Sequence, residues 1–203
     1  MNQSERTVPD VESLPSYQQE RRQRIVDVTL DLLLKNAGAV EVRDVVDAAD
    51  VSLATIYRYF GSKEVLFSAA YLHWHSGYIA ALEASMKRAR TNSARMRAGM
   101  GVFCDVFEQA PHMWDAYLVT RALKQPAILT MRLDFEQRLR QLFIGALHGV
   151  PERDAEGIIS ILTAVTAWNL SSWRTGDITT QQLRDELNEG VRLTIEGLSL
   201  IHI

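Results

Sequence analysis

A chain of 203 residues that is 47% hydrophobic can bury a sizeable core and has room for one or two domains. Its formal charge of −3 gives no electrostatic sign of a nucleic-acid partner, and no apolar run approaches the ~18 residues of a membrane span. Cys104 is the one cysteine, so no intramolecular disulfide can form, and the polar start MNQSERTVPDVESLPS is no secretory signal; a cytoplasmic protein is expected.

Residues 1–16 carry Pro9 and Pro15 without periodicity and are expected to be a loose tail. From 17 to 36, Ile25, Val28, Leu32 and Leu33 follow helical spacing, and Gly38 is a stop. Val42, Val45 and Val46 make one face of a short helix over 42–48. A turn and a Ser52 N-cap then lead into LATIYRYF. Its β-branched and aromatic residues favour a strand, yet a strand would align Ile56, Arg58 and Phe60 and set a charge between two apolar side chains. A helix over 52–60 instead places Leu53, Ile56 and Phe60 on a core face, with Thr55, Arg58 and Tyr59 opposite. The helical pattern outweighs the propensity.

Gly61 ends that helix and Ser62 caps the next, which continues through KEVLFSAAYLHWHSGYIAALEASMKR. Further helices are expected near 93–110, 112–124, 127–149, 153–175 and 178–200, punctuated by Pro111, Pro126, Gly149-Val150-Pro151 and Gly176. The fold is therefore all-α, with about nine helices.

The sequence from 17 to 60, two helices, a three-residue turn and a last helix, is a helix-turn-helix arrangement, in which the last helix enters the major groove of double-stranded DNA. Hydroxyls on Thr55, Tyr57 and Tyr59 can donate to phosphate, and Thr55 and Ala54 can touch a thymine methyl. Ile25, Val28, Val45 and Val46 are the expected anchors of its core face.

EVRDVVDAADVSLATIYRYFGSKEVLFSAAY resembles the N-terminal signature of the TetR family of transcriptional regulators, with unbroken spacing through Val42, Val51, Ser52, Thr55, Tyr57, Phe60, Ser62, Lys63 and Glu64. The resemblance implies a helix-turn-helix domain over 17–62 and a ligand-binding, dimerising helical domain over 63–203. It also implies DNA contacts from Arg43, Ser52, Leu53, Ala54, Thr55, Tyr57, Tyr59 and Lys63. Arg58 joins them on geometry alone. Asp50 stands where the family usually has glycine, Ala54 replaces a frequent glycine, and Glu41 sits where Thr or Ser normally caps. Residues 1–70 hold eight Lys/Arg against eleven Asp/Glu, so any DNA-binding face must come from distribution. Arg21, Arg22 and Arg24 are expected to extend that face.

For the body, the resemblance implies a homodimer and a small-molecule effector. Trp74, Tyr78, Phe103, Phe107, Met113, Trp114, Tyr117, Phe135 and Phe143 suit a hydrophobic effector, with His112 and Arg121 as polar contacts. Apolar residues on nearly every side of 158–173, with the helix after it, suit a four-helix dimer interface. Ile161, Val165, Trp168, Leu187, Val191 and Ile195 are its expected residues. The Ala167-Trp168 region and QERRQRIVDVT are similar to the sterol-catabolism repressors of the family, which implies a sterol or long acyl-CoA.

No nucleophile–base motif, phosphate loop, cofactor motif or metal spacing is present, and His73 and His75, two apart on a helix, point away from one another. The expected function is thus a ligand-responsive repressor, released by its effector from a near-palindromic operator. A small-molecule-binding or enzymatic protein retaining the head as scaffold and a chromosome-coating protein are the alternatives.

Overall fold

The computed structural model describes residues 13–197. Among them are nine α-helices and no strand: α1 (Ser16–Lys35), α2 (Val42–Ala49), α3 (Leu53–Phe60), α4 (Lys63–Lys87), α5 (Asn92–Gln109), α6 (His112–Ala122), α7 (Pro126–Gly145), α8 (Glu152–Thr175) and α9 (Thr180–Val191). A π-helical turn, Arg192–Glu196, follows α9. Most of the expected tail, and the end of the helix expected over 178–200, lie outside the described residues.

Two compact units are formed. The first comprises residues 13–76 and Asp115–Asp134, so it holds the whole expected helix-turn-helix and more. Ile25 and Val26 of α1, Val45 and Ala49 of α2, Ile56, Tyr59 and Phe60 of α3, and Val65, Leu66 and Ala70 of α4 form its core, with Ile128 from α7. The joints explain why the elements stop where they do. The Glu41 N–H donates to Asp44 Oδ2 (2.7 Å) at the start of α2. At its end Asp50 adopts φ 51°, a left-handed cap whose strain an aspartate tolerates, and its N–H reaches Val46 O. The Ser52 hydroxyl accepts from the Thr55 N–H (3.1 Å), Gly61 turns the chain at φ 71°, and Ser62 accepts from the Val65 N–H (3.3 Å). Arg24 donates to Ala49 O (3.2 Å), tying α1 to the end of α2, where the helix dipole favours a cation.

The second unit comprises Gly77–Trp114 and residues 135–197. In it α9 packs on both α5 and α8. Gly190 eases the close approach of α9 to α8, where a Cβ would lie a tight 3.3 Å from Val165 Cγ1. Gly99 of α5 admits the Phe143 ring, which a Cβ would meet at 2.8 Å. Arg184 of α9 bridges Asp105 (2.7 Å) and Glu108 (3.0 Å) of α5.

Two boundaries differ from expectation. The helix expected over 127–149 ends at Gly145, because Asn92 exchanges hydrogen bonds with both backbone groups of His148 (2.9 and 3.0 Å), and Arg95 takes Ala146 O (3.3 Å). After Val191 the expected α-helix widens into the π turn, whose Glu196 is held by Ser93 (2.6 Å) and Arg97 (2.8 Å) of α5.

His73 and His75 separate as their spacing requires. His73 pairs with Asp27 (3.2 Å) at the surface, whereas His75 is buried and hydrogen-bonded to the Tyr71 hydroxyl. Burial keeps the His75 imidazole neutral, its pKa pushed down to about 3. The unfolded chain takes up this proton near pH 6.5 and the folded chain does not, so stability is present above that pH and falls below it. Each pH unit lost between about 6.5 and 3 costs roughly 1.4 kcal/mol. Urea denaturation at pH 7.5 and pH 5 is therefore expected to show a loss of about 2 kcal/mol in the wild type that is absent in His75→Gln.

Candidate nucleic-acid interface

Eight residues are too few for a helix to stand alone in water, so α3 exists by virtue of its packed side. That side is Thr55, Ile56, Tyr59 and Phe60, all buried. Ser52, Leu53, Ala54 and Arg58 are exposed and Tyr57 is half-buried. Residues 53, 54, 57 and 58 thus form one outward face at helical spacing.

This arc is rotated from the expected one. Leu53, assigned to the core face, is 44% exposed, while Tyr59, assigned to phosphate, is 2% exposed and packs edge-on against Phe60 at 6.5 Å. Thr55 is likewise turned inward, its hydroxyl 3.0 Å from Ser52 Oγ. The physical reason is that α3 is enclosed by both α1/α2 and α4, which needs a buried arc wide enough for two adjacent pairs. An i, i+3, i+7 line is too narrow.

The cations divide similarly. Arg43 is the second residue of α2, Arg58 lies near the end of α3, and Lys63 opens α4; all three are exposed. None of their side chains hydrogen-bonds or ion-pairs with another described residue, so their full charge is available. Lys63 also lies in the first turn of α4, where the helix dipole favours an anion. Arg21 and Arg24 are exposed. Arg22 is not: it is 8% exposed, with its guanidinium carbon 4.7 Å from the Phe60 ring centroid. The expected surface contact from Arg22 is corrected to an interior one, because position 22 falls one turn before Ile25 and Val26 on the packed side of α1.

The expected effector residues fall in both units. In the first, the Tyr71 ring lies tilted near Trp74 (6.1 Å) and Tyr117 (6.2 Å), and Arg121 donates to the Tyr117 hydroxyl (2.8 Å). In the second, Tyr78, Phe103, Phe107, Met113, Trp114 and Phe143 are all buried. Phe103 lies 5.7 Å from Tyr78, 6.4 Å from Phe107 and 6.0 Å from Phe143, and Phe107 lies 5.6 Å from Trp114. A cavity of about 70 Å³ lies elsewhere in this unit, lined by Arg97, Cys104, Arg184 and Asn188 among others. Burial raises the Cys104 thiol to a pKa of about 11, which leaves it un-ionised and unreactive at neutral pH.

Of the expected dimer residues, Trp168 is 74% and Ile161 53% exposed, and Val165 and Ile195 are half-buried. Leu187 and Val191 are corrected to core, since the packing of α9 on both α5 and α8 encloses them. Leu193, which was not among the expected residues, is also exposed. Among the described residues no group of three or more His, Cys, Asp or Glu side chains is placed to hold a metal ion, and no helix is long and apolar enough to cross a membrane.

Comparison with known proteins identifies the family. Residues 25–70, the span of the first unit's core from α1 into α4, match the family described as bacterial regulatory proteins, tetR family. Over 182 residues the chain is 30% identical to the HTH-type transcriptional repressor KstR of Mycolicibacterium smegmatis, covering 88% of each protein. It is 28% identical over 180 residues to the KstR of Mycobacterium tuberculosis, covering 88% of this chain and 82% of that one. A TetR transcriptional regulator from a Rhodococcus species shares the fold with a TM-score of 0.72 at 17% identity, over 89% of this chain and 98% of that one. The chain belongs to the TetR family and is a DNA-binding transcriptional regulator, not an enzyme.

Proposed function

We propose that the protein is a homodimeric repressor that reads two half-sites of a near-palindromic operator, about one helical turn apart or slightly more. The observation that carries the reading is the outward face of α3, Leu53, Ala54, Tyr57 and Arg58, flanked in sequence by the unpaired cations Arg43 and Lys63. Leu53 and Ala54 have the chemistry to meet thymine methyls. Arg58 has the chemistry to take guanine O6 and N7, and the Tyr57 hydroxyl to take phosphate. Arg43 and Lys63 position the head by charge, and Ser52 and Thr55 support the turn that presents it.

The dimer forms through Ile161, Val165, Trp168, Leu193 and Ile195. An exposed tryptophan and isoleucine two turns apart on one helix are costly for a monomer, and a second copy removes them from water. The effector is small and mostly hydrophobic, of the sterol or long acyl-CoA kind. It binds by parting the aromatic side chains around Phe103 in the second unit, and it lowers operator affinity by favouring a conformation that fits DNA less well. Such a protein works in the cytoplasm, where its DNA is.

Selection from a random pool of duplexes, followed by titration against a scrambled duplex at several salt concentrations, tests the reading. Wild type is expected to enrich an inverted repeat. Lys63→Ala is expected to weaken selected and scrambled duplexes alike and to reduce the salt slope by about two per dimer. Arg58→Ala is expected to lose about 1–3 kcal/mol at one base pair per half-site. A protein that enriches no sequence is a chromosome coat or a retained scaffold instead.

Trp168→Asp places a charge in the proposed interface. Sedimentation at micromolar concentration is expected to show wild-type dimer and mostly monomeric variant; a dimeric Trp168→Asp moves the interface elsewhere.

A further inference from the structure

Arg22 is the anomaly of the first unit. An arginine keeps its charge at all working pH values, and burial without a partner is costly enough that such residues are paired or exposed almost everywhere. Here no carboxylate of a described residue pairs with it, and its Nε–H is buried with no acceptor. Desolvation accordingly lowers its pKa from the ordinary arginine value. Among the described residues its guanidinium carbon lies over the fully buried Phe60 ring, 4.7 Å from the centroid. Phe60 is the last residue of α3, and the chain turns immediately after it at Gly61. An apolar side chain of similar length is generally as stable or more stable at such a site, so stability alone does not call for a cation here.

We propose that Arg22 is a positioning residue for DNA reading: its guanidinium, seated on the Phe60 ring, fixes the C-terminal end of α3 and so sets the angle at which Leu53, Ala54, Tyr57 and Arg58 are presented. A desolvated cation over an aromatic face is a directional contact, stronger than the same pair in water. An apolar contact fills the space but permits sliding and rotation. The residue therefore acts on the bases through α3 and touches neither base nor phosphate.

This proposal rests on α3 being the element that meets DNA, and the closing experiment separates the two. With a duplex enriched from a random pool and a scrambled duplex of the same composition, wild type, Arg22→Met, Arg22→Lys and Phe60→Leu are titrated across a salt series. Unfolding midpoints are measured in parallel. Arg22→Met is expected to stay folded with an equal or higher midpoint, and to lose about tenfold in affinity for the selected duplex. Its affinity for the scrambled duplex and its salt slope remain those of wild type. Arg22→Lys, which keeps a cation over the ring, stays within about threefold. Phe60→Leu removes the π face, and its loss does not add to that of Arg22→Met in the double variant.

A salt slope reduced by about two per dimer in Arg22→Met makes the residue a direct phosphate contact and overturns the proposal. Unchanged selectivity in Arg22→Met makes it packing only, and overturns it as well. If Arg22→Met does not fold, Phe60→Leu with Arg22→Lys decides: full selectivity in Phe60→Leu refutes the seat. A wild type that prefers no sequence refutes the DNA-reading role of α3 itself.

Discussion

Burial of one side of an eight-residue helix is the constraint on which the first unit depends. The short α3 gains little from its own hydrogen bonds. Ile56 and Phe60 are fully enclosed and Thr55 and Tyr59 nearly so, and removal of each large side chain from water contributes roughly 1.5–3 kcal/mol. The same packing fixes the helix in rotation, because turning it by one residue exposes Ile56 and buries Arg58. The identity of the outward face is thus a consequence of the core. Leu53 and Ala54 face solvent because Ile56 and Phe60 do not.

Charge follows the same logic. A chain of net charge −3 with more acids than bases in its first 70 residues is a poor DNA binder on average. Two of the acids are engaged within the unit: Asp44 caps α2 and Asp27 pairs with His73. Among the described residues Arg43 and Lys63 have no carboxylate partner, and Arg58 has only the Tyr59 ring, 5.1 Å from its guanidinium carbon, which leaves all three charges for phosphate or a base to meet. Arg22 is spent inside the unit on a ring, while Arg24, though exposed, is tied to the carbonyl end of α2, so both of them also serve the architecture.

The helix boundaries were legible because their signals are local: a serine cap, a glycine stop, a proline at the first turn. Ser52, Gly61, Pro126 and Gly176 all act where their chemistry says they should. The face of α3 was half-legible. Ile56 and Phe60 were assigned correctly, but a hydrophobic line cannot tell which flank is also covered, and Tyr59 and Leu53 exchanged places. Leu187 and Val191 were misread for a related reason: an apolar stripe on α9 serves equally for a partner subunit or for α5, and only the tertiary packing chooses. Nothing in the sequence distinguished buried Arg22 from exposed Arg21 and Arg24, since three arginines within four positions look alike until the helix is docked. The early end of α7 rests on Asn92, more than fifty residues away, and such contacts leave no local trace.

Protection of guanine N7 against methylation across the selected duplex tests the central claim that the Leu53, Ala54, Tyr57 and Arg58 face enters the major groove. The account predicts symmetric protection in the two half-sites, with one guanine per half-site regaining reactivity in Arg58→Ala and none in Arg43→Ala. Protection that is absent, or that is unchanged in Arg58→Ala while Leu53→Gln and Tyr57→Phe also leave selectivity intact, contradicts it.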